Sequence, residues 1–414
     1  MSQAPAGGAA AGAADRTRPR LLGIFAAWRL RTYGLAVAAL YAALVCYGYR
    51  RGLWPVNGKG VPTSSDFIAL WLAGREAVHG HAALLYDAGA FVRLQQGLAG
   101  PSPFYFPNWS YPPTYLLLLA PLGALPYLAA FFSYELATLL ACIAVVLLIV
   151  RRRSAIALVL ASPFAAWNFI AGQSGFLSAA LAGAALLALE SRPVLGGVFL
   201  GFLSYKPQLG ILFPVALVAA KEWRALLAAA ATTALLIGGS IVAFGADAWV
   251  HFPRDLAARA GFELGGDPHQ YWGLYQTVYG LFRYFGSGRG GAALAQGVAA
   301  LSVVVIVWVV WRSRVRYPLK AATVSAGMLL APHHVLAYDL AAIAIPLAFL
   351  ARDQLGCGLL RGEQTTLLVL FAASFLVFAT AGRAPLGLAI VLAVLCLALR
   401  RAHRSPGSQQ FWRI

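Results

Sequence analysis

Acidic residues are scarce in this chain: 14 Asp and Glu stand against 32 Lys and Arg in 414 residues, and charged residues of both signs make up only 11%. So little charge, with 60% hydrophobic residues and a mean hydropathy of +0.72, excludes a soluble globular domain of this length. The chain reads as a polytopic membrane protein. Cysteine is also scarce. Cys46, Cys142, Cys357 and Cys396 are scattered without a CxxC pair, so neither a disulfide framework nor a metal site is expected. There is no P-loop, no GxSxG elbow and no dinucleotide fingerprint in a βαβ setting, which removes support from nucleotide-driven transport and serine hydrolysis. The formal charge of +18 falls in short Arg clusters between apolar segments. That is where the positive-inside rule places basic residues, so the charge orients the chain in a lipid bilayer and does not mark a nucleic-acid partner.

Residues 1–20 are Ala/Gly-rich and then basic, and are expected to form a disordered cytoplasmic tail. A single transmembrane unit is expected over 21–400, followed by a second cytoplasmic tail over 401–414. The segment from Tyr33 to Tyr49 follows Arg29 and Arg31 without a small-residue cleavage site, which favours a retained first helix. Further spans read near 127–150, 154–170, 174–190, 193–205, 207–220, 225–244, 292–311, 319–332, 335–351, 365–381 and 384–400. The expected fold is therefore all-α with about 12 transmembrane helices. This count sets Arg151 to Arg153, Lys221, Arg224, Arg312 to Lys320, Arg352, Arg361 and Arg400 on the cytoplasmic side. Counting 111–126 as a span would push the Arg triplet outside, so that stretch reads as re-entrant or interfacial. The same parity puts the loops 51–110 and 245–291, the NFIAGQSG turn at 168–175, Lys206 and the Pro332-His333-His334 turn on the exoplasmic face.

Asp66 opens DFIALWLAGREAVHGHAALLYD, where Phe67, Leu70, Trp71, Gly74 and Val78 recur at helical spacing, so an amphipathic helix along the membrane surface is expected. Asp66 reads either as a helix cap after Ser64 and Ser65 or as a functional carboxylate at the lip of an apolar bundle. Lys206 lies in LSYKPQLG, where Pro207 can break a helix. It either snorkels to the interface or presents a cation to a phosphate from within the bundle. His333 and His334 follow a proline in a second break, with Asp339 five residues on. The spacing is not HExxH and offers no third ligand, so anion binding or hydrogen bonding fits better than a metal. Asn168, Gln173 and Ser174 form a polar turn between apolar segments, and loop 245–291 mixes aromatic residues with acids in the manner of a carbohydrate site.

The order DFxxxWxAGRxxxxGxxxxLYD, then FPNWSYPPTYLLLLAPLGALP, then NFIAGQSGFLSAAL, then GVFLGFLSYKPQLGILFPV, and finally a PHH turn resembles glycosyltransferase family 87 (DUF2029) over about residues 60 to 350. The resemblance implies a GT-C fold: a multi-span enzyme that takes a sugar from a polyprenyl-phosphate donor and passes it to a lipid or glycan acceptor. It also implies a bacterial inner membrane with the site facing the periplasm, inversion at the sugar carbon, no cofactor and no nucleic acid. By the same resemblance Asp66 is the catalytic base, and Lys206, His333 and His334 bind the donor phosphate. Tyr111, Asn168, Gln173, Tyr205, Gln276 and Asp339 complete the expected substrate contacts. The chain is similar to polyprenol-phosphate-mannose-dependent mannosyltransferases, which suggests mannose, but PHHVLAYDL stands where those carry a tryptophan-containing turn. The competing class is a transporter or flippase of lipid-linked sugars, which calls for internal inverted repeats that the sequence does not show.

Overall fold

The computed structural model describes residues 27–63, 65–100, 109–263, 272–380 and 383–405. The expected tail over 1–20 lies outside the described residues, as does 406–414 of the second tail. Among the described residues all regular structure is helical, apart from isolated bridges between Val56 and Pro62 and between Tyr275 and Leu336.

Among the described residues, six helices are long and apolar enough to cross a membrane: Arg31–Arg50, Tyr127–Val150, Trp223–Phe244, Arg289–Arg312, Ala337–Cys357 and Leu386–His403. Five further apolar helices, Pro113–Gly123, Gly175–Leu189, Pro193–Tyr205, Pro207–Ala220 and Glu363–Ala379, run for only 10–17 residues. Proline accounts for several of the short pieces. Its ring clashes with the preceding turn but suits the first helical position, so Pro163 splits one segment into Ala155–Leu160 and Pro163–Ala171. Pro193 and Pro207 likewise begin helices.

Close glycine contacts reveal the direction of these pieces. A Cβ on Gly197 would sit 2.1 Å from the Ala225 carbonyl, and one on Gly201 would sit 2.4 Å from Thr232. Both partners advance together, so Pro193–Phe202 and Trp223–Phe244 run parallel. The chain between them must therefore double back, and Lys206 marks the reversal. By the same reasoning Tyr127–Val150 runs parallel to Gly175–Leu189, since Glu135 meets the Asn168–Gly175 turn while Val145 meets Gly183.

Two buried charge networks lie at opposite ends of the bundle. Asp339 stands near the start of the segment Ala337–Cys357 and Asp353 near its end, roughly 23 Å apart at the usual helical rises. At the far end Arg401 pairs with Asp353 and Glu363, each at 2.6 Å, and Arg316 pairs with Asp353 at 2.7 Å. These contacts tie the ends of Leu386–His403, Ala337–Cys357 and Glu363–Ala379 together. Outside the spans, the Arg316 guanidinium is held above its ordinary pKa by its hydrogen bonds to Asp353.

The helix carrying Asp66, Ser65–Val78, corrects the expectation of an amphipathic surface helix. Seven consecutive residues, Phe67 to Ala73, are each at most 6% exposed, whereas Val78, expected on the buried stripe, is 51% exposed. The residues between the expected stripe positions are apolar as well, so the segment buries every face. Gly74 and Gly123 allow the closest approach: a Cβ on Gly74 would sit 2.1 Å from the Leu119 carbonyl. The expected re-entrant stretch forms Pro113–Gly123. Its start meets Tyr134 and Tyr205 through Tyr115, and Trp71 donates to the Leu125 carbonyl just beyond its end at 2.9 Å.

Candidate functional site

The reversal at Lys206 holds a buried lysine. Its backbone leaves the helical region (φ −132°, ψ 69°), as a residue before proline must, and its side chain is 2% exposed. The ammonium donates to Asp339 Oδ1 at 2.5 Å and to Ser174 Oγ at 3.4 Å, and it lies 5.3 Å from the Tyr338 ring and 5.9 Å from the Tyr111 ring. The second Asp339 oxygen accepts the Leu336 N–H at 3.0 Å, which caps the turn Ala337–Ile343. A buried ion pair is tolerable only when its remaining hydrogen-bonding capacity is used, and here both partners are engaged. The pair as a whole is electrically neutral, and the expected phosphate-binding cation is the one that Asp339 holds.

Around this pair the sequence-expected residues fall into one network. The Tyr111 hydroxyl donates to Gln173 Oε1 at 3.1 Å, and the same oxygen accepts the Ser174 N–H at 3.1 Å. The Tyr205 hydroxyl meets Ser178 Oγ at 2.6 Å and donates to the Ser174 carbonyl at 3.2 Å. Its ring lies 4.5 Å from Tyr115 and 6.5 Å from Tyr111. Asn168 works one layer beneath. Its carbonyl oxygen accepts the Gly175 N–H at 2.7 Å, and its amide donates to Glu135 Oε2 at 3.3 Å. Asn168 therefore holds the turn that presents Gln173 and Ser174, with Gly172 in the left-handed region (φ +72°).

Asp66 adjoins that turn. A Cβ on Gly172 would lie 2.5 Å from the Phe67 Cβ, so the residue following Asp66 is packed directly on the glycine preceding Gln173. Asp66 itself lies inside the first turn of its helix and is half-buried. There a carboxylate complements the helix dipole.

The late turn is held from the 272–278 segment. Thr277 Oγ1 donates to the His333 carbonyl at 3.1 Å, the Gln276 N–H donates to the Val335 carbonyl at 2.8 Å, and Tyr275 bridges Leu336. His333 is exposed, and His334 is half-buried with its ring 5.2 Å from Tyr275. Gln276, an expected substrate contact, donates from its amide nitrogen to the Gly273 carbonyl at 2.7 Å and accepts the Gly387 N–H at its oxygen at 2.7 Å. With both ends spent on backbone, Gln276 braces the loop against the last helix.

Sequence reading missed several members of this site. Ser178, one helical turn below Ser174, and Tyr338 carried no signal beyond their place beside residues already singled out. Glu135 did carry one: a carboxylate inside the 24-residue apolar helix Tyr127–Val150 is costly and needs a reason. Tyr115 and Tyr134, joined hydroxyl to hydroxyl at 2.7 Å, close the wall between Glu135 and Tyr205. Aromatic faces, hydroxyls and a nearby carboxylate are together suited to a polyhydroxyl ligand and to accepting a proton from it.

No curated protein and no solved structure matches the chain. A family model does, over residues 109–337, which takes in Tyr111, the 168–175 turn, Lys206 and the histidine turn and leaves Asp66 on its N-terminal side. That stretch is more than half of the 414 residues, and the chain belongs to glycosyltransferase family 87.

Proposed function

We propose that this glycosyltransferase moves a hexose or pentose, mannose by resemblance, from a polyprenyl-phosphate-sugar to a lipid or glycan acceptor, with Asp66 as general base. The packing of Phe67 on Gly172 is the observation that carries the reading. It sets a half-buried carboxylate beside a network of Tyr, Gln, Ser and a matched Lys–Asp pair.

In this reading the acceptor hydroxyl, a poor nucleophile, loses its proton to Asp66 as its oxygen bonds to the anomeric carbon. The bond from that carbon to the phosphate oxygen breaks, and its electron pair leaves with the polyprenyl phosphate. One displacement inverts the carbon and needs no covalent enzyme intermediate. His333 and His334 meet the charge developing on the phosphate. The Lys206–Asp339 pair fixes the walls by tying the helix reversal to the late turn, and Tyr111, Gln173 and Tyr205 contact the sugar. Twelve crossings, with the Lys206 end exoplasmic and the Arg401 end cytoplasmic, complete the arrangement. The alternating directions of the short helices and the grouping of basic residues support that topology.

Membranes containing the protein, fed isotope-labelled polyprenyl-phosphate sugars and analysed by mass spectrometry, should yield a glycosylated lipid or glycan that Asp66→Asn membranes do not. Labelled donor moved across the bilayer without transfer would instead establish a carrier.

A further inference from the structure

At the end of the bundle opposite Lys206, a cavity of about 390 Å³ opens among the ends of four helices. Lys221, Arg312 and Lys320 line it, with Glu222 the one acid among its lining residues. Three other cations at this end are matched: Arg401 and Arg316 by Asp353, and Arg352 by Glu190 at 2.7 Å. Among the described residues no ion pair joins the three cavity cations to a carboxylate.

One of the three, Lys320, is fixed on the wall by hydrogen bonds. Lys320 donates to the Trp311 carbonyl at 3.1 Å while the Trp311 indole donates to the Lys320 carbonyl at 3.0 Å. This reciprocal tie fixes the lysine on the wall and uses one of the three protons on its ammonium. Lys221 ends the helix Leu212–Ala220 in the left-handed region (φ +60°), a conformation that glycine adopts freely and lysine at some cost. Leu189, Ala219 and Ala220 add apolar side chains to the lining. Trp223, next in sequence to the lining residue Glu222, and Trp308 are 52% and 37% exposed, and Arg312 lies over the Trp308 ring at 5.6 Å. Exposed tryptophans of this kind mark headgroup depth.

We propose that this cavity binds the phosphate of an anionic glycerophospholipid headgroup. Three cations against one acid suit a phosphate, and the apolar lining residues with exposed tryptophans at Trp308, beside Arg312, and Trp223, next to Glu222, suit a phosphate tethered to acyl chains better than one free in water. The site is separate from the transfer site and does not depend on how that site is read.

The test is native mass spectrometry of the full-length protein released from micelles holding equal phosphatidylglycerol and phosphatidylethanolamine. The wild type should retain phosphatidylglycerol selectively. Lys221→Gln, Arg312→Gln and Lys320→Gln should each lower that retention about fivefold. Glu222→Gln, which keeps every cation, should raise it, so the proposal stays testable even where a cation variant folds poorly. Equal losses from Arg152→Gln and Arg153→Gln, outside the cavity, would show a diffuse basic surface and overturn the site. So would unchanged retention in the cavity variants or in Glu222→Gln. Displacement of the lipid by millimolar inorganic phosphate would overturn the lipid assignment in favour of a free anion.

Discussion

Lys206 and Asp339 lie 133 positions apart in sequence and meet at 2.5 Å, with side chains only 2% and 0% exposed. The pair joins the apex of one helical hairpin to the cap of the turn that follows the two histidines. Lys206→Ala would leave a buried carboxylate uncompensated, so it should cost about 3–5 kcal/mol, whereas a donor contact alone would cost activity without stability. The double substitution Lys206→Met with Asp339→Leu should recover most of that loss. Thermal unfolding in detergent checks both, and a Lys206→Ala protein as stable as wild type would refute the structural role.

Asp66→Asn separates base from dipole partner. Asparagine keeps size and hydrogen bonding but cannot take the acceptor's proton, so transfer should fall about 10²–10⁴-fold. If Asp66 only complements the helix dipole, the change should cost about 0.3–1 kcal/mol of stability and leave turnover nearly intact. Turnover above a third of wild type would remove Asp66 from the catalytic role.

Gly172→Ala should couple stability to catalysis. The added Cβ meets Phe67 at 2.5 Å, on a backbone at φ +72° that alanine disfavours by about 1–2 kcal/mol. Relief requires Phe67, and with it Asp66, to move away from Gln173. A lower melting temperature with kcat reduced more than donor affinity is expected. Gly238→Ala, where an added Cβ meets nothing within 4 Å, is the control and should do neither.

Glu135 supports the Gln173–Ser174 turn through Asn168. Glu135→Gln retains an oxygen able to accept from Asn168 and should be nearly neutral. Glu135→Leu strands the Asn168 amide and should cost about 1–3 kcal/mol. Equal stability of the two variants would argue against the Asn168 contact.

Topology can be read by labelling single cysteines, in a background lacking the four native ones, from outside intact cells. Reporters at His81 and Gly288, both exposed, should react, and reporters at Arg153 and Lys221 should not. Reaction of His81 and Lys221 together would break the twelve-crossing arrangement.

The sequence by itself determined the properties that depend on composition and neighbours along the chain. An all-helical membrane chain follows from hydropathy. The break at Pro207 follows because a proline ring suits the first turn of a helix and not its interior, whereas Pro163 divides a stretch, 154–170, that hydropathy reads as one span. The polar turns were legible for the same reason: short polar runs between apolar segments are local features. What only the tertiary structure decided depends on where groups far apart in sequence meet. Among the described residues six helices reach spanning length, because breaks divide the other apolar segments into short pieces that only packing orients. Periodicity suggested one buried face for Ser65–Val78, but the surroundings cover all of them around Phe67 to Ala73. Lys206 and Gln276 stood out because a polar residue in an apolar chain must find a partner. Sequence shows that need but not its answer, and Asp339 and the backbone at Gly387 answer it from 133 and 111 positions away.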